Sequence, residues 1–193
     1  MTTTVALILA AGQGSRFRAA AGPDQNKLLA PCQGLTDCLR PVLEHALINL
    51  ADCVPRRILI TRPDSPEIIT LARTYDCEVL TIASAGMGDS LAAGVAASAE
   101  AAGWLVLLGD MPFIQPATLE AVLAAMAEDR IAVPVGPQGF GHPVGFGRSL
   151  GAALQALSGD QGARRLFAGQ QVIEVATGDL GIYRDIDIPA NLL

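Results

Sequence analysis

The sequence lacks any long uninterrupted hydrophobic segment, although 51% of its 193 residues are hydrophobic and only 17% are charged. Its apolar runs, such as "VALILAA" and "WLVLL", are far shorter than the roughly 18 residues that a membrane-spanning helix needs. No basic residue precedes Arg16, so the amino terminus does not match a secretory signal peptide. Since so hydrophobic a composition disfavours disorder, these absences predict a globular cytoplasmic protein that binds no membrane and forms one domain over residues 1–193.

The sequence also lacks the cysteine spacing of a metal site or a redox motif. Its four cysteines (Cys32, Cys38, Cys53 and Cys77) include no C-x-x-C pair and all lie in the first half of the chain. This pattern favours reduced structural thiols over a metal site.

Positive charge is scarce, and lysine is the scarcest source of it. The net charge is −6, and Lys27 is the only lysine among 13 basic residues. An acidic chain of this kind does not present a general nucleic-acid-binding surface. Any phosphate that the protein binds must therefore be neutralised by a few local cations.

Strand-like and helix-like segments alternate along the chain. Strands are predicted at residues 4–11, 56–62, 77–83, 103–110 and 130–135, and helices at residues 41–51, 65–75, 88–102 and 115–129. In the less regular last third we predict short strands at 143–146, 170–176 and 183–188, and helices at 148–157 and 160–167. The alternation predicts an α/β fold with a three-layer, doubly wound and mainly parallel sheet, extended by one or two antiparallel strands. Residues 19–25 are the best candidate for a mobile loop.

The first predicted strand runs into a glycine-rich loop, "AAGQGSRF", which matches neither common nucleotide-binding motif. A dinucleotide fingerprint needs Gly or Ala where Phe17 stands, and the Gly-Lys-Ser/Thr of a Walker A loop is absent. What remains is a glycine turn whose N–H groups can approach an anion, with Arg16 beside it. An ordinary strand-to-helix turn explains the glycines equally well.

Three further charged residues are candidates for phosphate and metal chemistry. Lys27 provides a compact positive charge suited to a triphosphate, although a solvated surface lysine is the simpler interpretation. Asp110 directly follows a buried strand, where an acid either caps a helix or binds a hard cation such as Mg²⁺. Asp187, at another predicted strand end, is the candidate second carboxylate, and Asp185 is expected to face the other way.

Weaker signals come from a second glycine turn and from two histidines. The segment "GMGDSL" opens a helix, and Ser90 could contact a nucleoside or serve, like Asp89, as an ordinary N-cap. His45 lies within a helical pattern and is expected to be structural. His142 lies in a loop that could border a substrate.

Taken together, the segments "LAAGQGSRF", "KLLAP", "GMGDSL", "LLGDMP", "GHPVGF", "GDQGAR" and "DIDIP" resemble the molybdenum cofactor cytidylyltransferase family, within the molybdopterin nucleotidylyltransferases. The resemblance spans nearly the whole chain in the family order. It implies a fold like that of nucleotide-diphospho-sugar transferases. It also implies Mg²⁺-dependent transfer of CMP from CTP to the phosphate of molybdopterin or its molybdenum form, with release of pyrophosphate.

The resemblance also implies roles for individual residues. Catalysis would involve Arg16, Lys27 and Asp110, and Mg²⁺ would bind to Asp110 and Asp187. The nucleotide would contact Leu9, Ala10, Ala11, Gly12, Gly14, Ser15, Arg16, Lys27, Gly88 and Ser90. His142 and Arg164 would face the pterin. Compared with the family pattern, Arg18 stands in place of glycine, and the segment from Arg16 to Lys27 is longer.

Three alternatives remain at the level of the sequence. Guanylyltransferase relatives have glycine where this chain has Ala11, which favours CTP, but GTP remains the alternative donor. A sugar-phosphate nucleotidyltransferase would use similar loops. A non-catalytic carrier of molybdenum cofactor would have no need of two metal-binding carboxylates. The partners implied are CTP (or GTP), a molybdopterin-type acceptor, and a molybdoenzyme or its maturation chaperone.

Overall fold

The computed structural model describes residues 3–36, 38–83 and 86–192. The strands are β1 (Thr4–Leu9), β2 (Pro31–Cys32), β3 (Arg40–Pro41), β4 (Arg56–Thr61), β5 (Glu78–Thr81), β6 (Gly103–Leu108), β7 (Arg130–Gly136), β8 (Gly139–Phe140), β9 (Val144–Gly147) and β10 (Gln171–Ala176). The helices are α1 (Ser15–Ala21), α2 (Val42–Leu50), α3 (Pro66–Thr74), α4 (Met87–Ala96), α5 (Pro116–Ala125) and α6 (Gly151–Gln155). Short 3₁₀ segments cover Arg148–Leu150, Ala163–Phe167, Leu180–Tyr183 and Pro189–Leu192.

The main sheet has eight strands and is mixed, with a mostly parallel arrangement. Seven strands follow the order β10-β7-β9-β6-β1-β4-β5, and β8 pairs with β7. The strands β6, β1, β4 and β5 run parallel to one another, as do β7 and β10. β9 is antiparallel to both β6 and β7. The predicted α/β fold is confirmed, including the antiparallel strands in the last third.

Both faces of the sheet are covered by helices. Along β1, Ala6 and Ile8 point into a core shared with α2, α3 and α5, whereas Val5 and Leu7 point into a core shared with α4 and α6. This alternation is why residues Val5 to Ile8 are all apolar: side chains on both faces of the strand are buried. Among the described residues, no helix is long and apolar enough to cross a membrane.

A third, smaller core lies at the carboxyl edge of the central strands. It contains Phe17 from α1, Phe113 from the loop after β6, and Ile186 from the segment after Leu180–Tyr183, all at most 8% exposed. The guanidinium of Arg184 stacks on the Phe113 ring at 3.7 Å. These contacts hold three separate loops together at the edge where ligands bind in open α/β sheets.

Three predicted segments differ in the structure. Residues 183–188 do not form a strand, because the chain turns through Leu180–Tyr183 and is fixed there by side chains. The Asp179 carboxylate accepts the Gly181 N–H at 2.8 Å, and the Tyr183 hydroxyl donates to the Gly139 carbonyl at 2.6 Å. Residues 160–167 form the short 3₁₀ segment Ala163–Phe167 in place of the predicted helix, and part of the predicted 19–25 loop belongs to α1.

Candidate functional site

The glycine loop after β1 lies at the carboxyl edge of the sheet and opens into a cleft. Gly14 has a φ of +60°, a left-handed conformation that glycine adopts without strain, and α1 begins at the next residue. Gly12 is exposed, and a Cβ added to it would meet no atom within 4 Å. Open space on this side of the loop leaves the backbone accessible to a ligand.

Four charged side chains from distant parts of the sequence meet beside this loop. The Lys27 ammonium forms an ion pair with Asp110 and lies 3.7 Å from Asp187 Oδ1. Arg16 Nη1 lies 2.6 Å from Asp187 Oδ2. The side chains of Lys27 and Asp110 are only 14% and 16% exposed, whereas the Arg16 side chain is 78% exposed. The structure thus brings together the four residues that the sequence selected for phosphate and metal chemistry.

A backbone hydrogen bond fixes the two aspartates relative to each other. The Ile186 N–H donates to the Asp110 carbonyl at 2.9 Å. Because the Ile186 side chain is fully buried in the third core, the residues on either side of it are held beside Asp110. The third core therefore helps to hold Asp187 beside Asp110.

The carboxylate of Asp110 has the character of a cation ligand. Its Oδ1 atom is buried and has no hydrogen-bond partner, which is costly for a carboxylate oxygen unless a cation or a donor binds it. Asp110 and Asp187 together could hold a divalent cation that also binds substrate phosphates, as Mg²⁺ commonly does. Within the described ranges, no group of three or more His, Cys, Asp or Glu side chains is arranged to hold a metal ion. A metal at this site would therefore need further ligands from water or from the substrate.

The charged cleft, as we call it, encloses about 380 Å³ and includes most of the predicted nucleotide-binding residues. It is lined by Leu9, Ala10, Ala11, Gly12, Arg16, Lys27, Leu28, Met87, Ser90, Leu108, Asp110, Asp160, Asp185 and Asp187. Gly14 and Ser15 lie at an adjoining opening, together with Arg16 and Asp160.

Asp185 also faces the charged cleft, so the expectation that it points away is wrong. In extended backbone, residues two positions apart share a side, and Asp185 and Asp187 flank the buried Ile186. Burial, together with the carboxylates of Asp187 and Asp110, raises the pKa of Asp185. Asp160 also lines the charged cleft, although it is not among the predicted site residues, and its signal in the sequence is its place in the "GDQGAR" segment.

Ser90 and Gly88 are both predicted to contact the nucleoside, but only Ser90 lines the charged cleft. Ser90 lines the charged cleft, and its hydroxyl donates to the Gly86 carbonyl at 2.9 Å. The Gly88 N–H donates to the Gly159 carbonyl at 2.8 Å, and a Cβ on Gly88 would lie 2.7 Å from the Gln161 carbonyl oxygen. Gly88 is therefore in close contact with residues 158–161. It is not among the residues that line the charged cleft. Its contact with a nucleoside stays a prediction.

His142 and Arg164 lie together in a neighbouring cavity, the apolar pocket. This pocket encloses about 260 Å³ and shares Leu9, Met87 and Leu108 with the charged cleft. The Phe140 and Phe167 rings line it, with their centroids 5.5 Å apart. Burial lowers the pKa of His142 to about 4, so its imidazole is neutral near pH 7, and the buried Nδ1 has no partner. A second ligand could therefore bind next to one held in the charged cleft.

His45 and the four cysteines lie outside the two cavities. The His45 ring bonds through Nε2 to the Cys32 carbonyl at 2.8 Å, and it packs against Gly34 so closely that a Cβ there would lie 2.3 Å from Nδ1. All four cysteines are free. His45 thus has the structural role expected from the sequence.

The sequence from residue 6 to residue 175 matches the model of the MobA-like NTP transferase domain. Among curated proteins, the chain is 28% identical to the purine catabolism protein PucB of Bacillus subtilis, over 96% of this chain and 92% of PucB. It is also 31% identical to the bifunctional protein GlmU of Pseudomonas paraeruginosa, over 91% of this chain. The chain spans about a third of the length of the GlmU relatives that it matches.

Solved structures show the same fold. The crystal structure of Rv0371c from Mycobacterium tuberculosis gives a TM-score of 0.80 at 26% identity, over 98% of this chain and 96% of that chain. Rv0371c in complex with manganese gives a TM-score of 0.74, over 91% of this chain and 89% of that chain. A nucleotidyl transferase from Methanothermobacter gives a TM-score of 0.79 at 23% identity, over 98% of this chain and 94% of that chain. Because the family model matches most of the chain and the fold agrees, the chain belongs to the MobA-like NTP transferase family.

Proposed function

We propose that the protein transfers CMP from CTP to the terminal phosphate of a molybdopterin-type acceptor and releases pyrophosphate. The observation that carries this proposal is the cluster of Arg16, Lys27, Asp110 and Asp187 beside the open glycine loop. Such a cluster suits a reaction in which charge must be neutralised and reactants must be aligned.

The proposed step forms one bond and breaks one. A phosphate oxygen of the acceptor attacks the α-phosphorus of CTP, the bond from that phosphorus to the bridging oxygen breaks, and pyrophosphate leaves with the electron pair. The acceptor phosphate is already ionised near neutral pH, so no general base is needed. This agrees with the absence of a histidine or cysteine from the described residues that line the charged cleft.

In this proposal the side chains of the cleft have distinct tasks. The glycine loop holds the triphosphate through backbone N–H groups, and Lys27 and Arg16 neutralise the charge that develops on the leaving pyrophosphate. Asp110 and Asp187 would hold Mg²⁺. When bound, this ion would supply positive charge to the phosphate oxygens. The unpartnered Asp110 Oδ1 and the manganese complex of the related Rv0371c support a divalent cation here.

The apolar pocket supports an acceptor with a flat, weakly charged body. Phe140 and Phe167 offer ring faces, the neutral His142 offers a nitrogen, and Arg164 offers one positive charge. For the donor, the methyl group of Ala11 in the cleft lining and the family resemblance favour CTP over GTP.

The test is a comparison of donors with purified protein, molybdopterin and Mg²⁺, in which pyrophosphate release is measured. We expect release that requires both CTP and the acceptor, with GTP and UTP much slower. Faster release with GTP would make the protein a guanylyltransferase, and release with a sugar phosphate as acceptor would favour a sugar-phosphate enzyme. Tight binding of molybdopterin without CTP or Mg²⁺, together with no pyrophosphate from any donor, would make it a carrier.

A further inference from the structure

The Lys27 ammonium occupies the space between the two carboxylates that would hold the metal. It is paired with Asp110 Oδ2 and lies 3.7 Å from Asp187 Oδ1, while Arg16 takes Asp187 Oδ2. Three of the four carboxylate oxygens therefore face a side-chain cation. The fourth, Asp110 Oδ1, is buried without a partner.

This arrangement opposes binding of a divalent cation to the protein alone. Lys27 and Asp110 are both about five-sixths buried, so water screens their charges only weakly. An ammonium group donates hydrogen bonds but has no lone pair to offer a metal, so it competes for the carboxylates without adding a ligand. A metal ion entering between Asp110 and Asp187 must displace it.

The Lys27 side chain can leave while its backbone stays in place. The next residue, Leu28, is 5% exposed and lies in the core shared with α2, α3 and α5. Its N–H donates to the Asn26 side-chain oxygen at 3.0 Å. The aliphatic part of Lys27 lies along the glycine loop, where a Cβ on Gly14 would be 3.6 Å from Lys27 Cγ. Rotation about the outer side-chain bonds would carry the ammonium from the carboxylates to the face of this loop.

We propose that Lys27 is an internal counter-ion that closes the metal site until a nucleoside triphosphate draws it away. The triphosphate offers Lys27 new anionic partners at the glycine loop, and the freed carboxylates then accept the metal. Metal and nucleotide consequently bind with positive coupling, and each raises the affinity for the other by the same factor. This inference rests on the proposed function, because it takes Asp110 and Asp187 as the metal-binding carboxylates.

The first test measures Mn²⁺ binding to the nucleotide-free protein by the loss of the free Mn²⁺ signal in electron paramagnetic resonance. We expect weak binding to the wild type and binding at least about tenfold tighter to Lys27→Met, equivalent to ~1.4 kcal/mol. Arg18→Met is the matched control, since it removes one exposed positive charge from α1 that is not paired with Asp110 or Asp187. Its Mn²⁺ affinity should stay within about twofold of the wild type, since a single exposed charge contributes little.

The second test uses the fact that Lys27 is the only lysine. In protein labelled with ¹³C-lysine, the Lys27 Cε resonance reports on the position of the ammonium. We expect little change with Mg²⁺ alone and a clear shift with CTP and Mg²⁺ together. Asp110→Asn should shift this resonance in the absence of any ligand.

The outcomes separate the two proposals. If the nucleotide-free wild type binds Mn²⁺ as tightly as Lys27→Met, and Asp110→Asn abolishes that binding, the counter-ion role is wrong while the proposed function stands. If no variant binds Mn²⁺ with or without CTP, and no pyrophosphate is released, both proposals are wrong. An equal gain in affinity for Lys27→Met and Arg18→Met would also contradict the counter-ion role, since the effect would then be general electrostatics.

Discussion

The backbone N–H of Ile186 donates to the backbone carbonyl of Asp110 across 2.9 Å, and the side chains on both sides of this bond serve different purposes. Ile186 is buried in the third core, while Asp110, Asp185 and Asp187 line the charged cleft. The position of these carboxylates thus depends directly on the hydrophobic packing beneath them.

Asp110→Asn should abolish transfer while the protein remains folded. The amide keeps the shape of the carboxylate but loses the negative charge that pairs with Lys27 and would hold the metal. We expect a fall in kcat of at least about 100-fold, on the scale of other losses of electrostatic stabilisation in active sites. Pyrophosphate release measures the effect, and a thermal melt within a few degrees of the wild type confirms the fold. Near-normal turnover would contradict the role of Asp110.

Gly88→Ala should destabilise the protein because the added Cβ has no space. It would lie 2.7 Å from the Gln161 carbonyl oxygen and 2.9 Å from the Ser158 nitrogen, and both are backbone atoms. We expect a loss of about 1–3 kcal/mol in the free energy of unfolding, as for other overpacked sites. Gly178→Ala is the control, since a Cβ there would meet nothing within 4 Å. Equal melting temperatures for the two variants would show that the 158–161 segment does not need its close contact with α4.

The stability of the wild type should fall between about pH 6.5 and pH 4 because of His142. Burial holds the folded-state pKa of this imidazole at about 4, whereas the unfolded chain takes up the proton near 6.5. The unfolded state therefore binds more protons in this window, so acid favours unfolding, by up to about 3 kcal/mol at its lower end. Urea unfolding of wild type and His142→Gln measures the effect across the window. A difference in unfolding free energy that does not change with pH would contradict this assignment.

Asp179→Ala should lower the free energy of unfolding by about 2 kcal/mol or more, because several donors lose their hydrogen-bond acceptor. The carboxylate is 6% exposed and accepts from the Gln115 N–H, the Thr118 hydroxyl and the Gly181 N–H. Thr118→Val removes only one of these bonds and should cost markedly less. Chemical denaturation of both variants measures the two free energies. A smaller loss for Asp179→Ala than for Thr118→Val would show that the turn at Leu180–Tyr183 is held by other contacts.

Much of the fold and of the site could be predicted because it depends on local patterns. The apolar run from Val5 to Leu9 in β1 and the apolar residues of β6 reflect burial on both faces, and that pattern is visible without any tertiary information. The carboxyl ends of parallel strands meet at one edge, so Asp110 could be placed near the glycine loop. Lys27 lies in the cluster despite the long segment that precedes it, since the buried Leu28 anchors it.

The features that could not be predicted depend on partners far away in the sequence. The turn at Leu180–Tyr183 overrides a strand-like pattern because Asp179 and Tyr183 bond to segments some 40 to 60 residues earlier. Gly88 looks like part of a ligand-binding turn, but its environment is set by the backbone of residues 158–161. Asp185 differs from these cases, since its spacing of two residues from Asp187 already indicates a shared side.

Because β9 is antiparallel to its neighbours, the residues that line the apolar pocket come from a different kind of position in the chain. Val144 at the start of β9 pairs with Val106 near the end of β6, so the amino end of β9 lies at the carboxyl edge of its neighbour. His142 therefore reaches the apolar pocket from the residues before a strand, whereas Asp110 reaches the charged cleft from the residues after one. Inverting one strand lets the chain enter the same edge from the opposite direction. The loops that place Asp110 in the charged cleft and His142 in the apolar pocket are thus separate in the sequence and can vary independently.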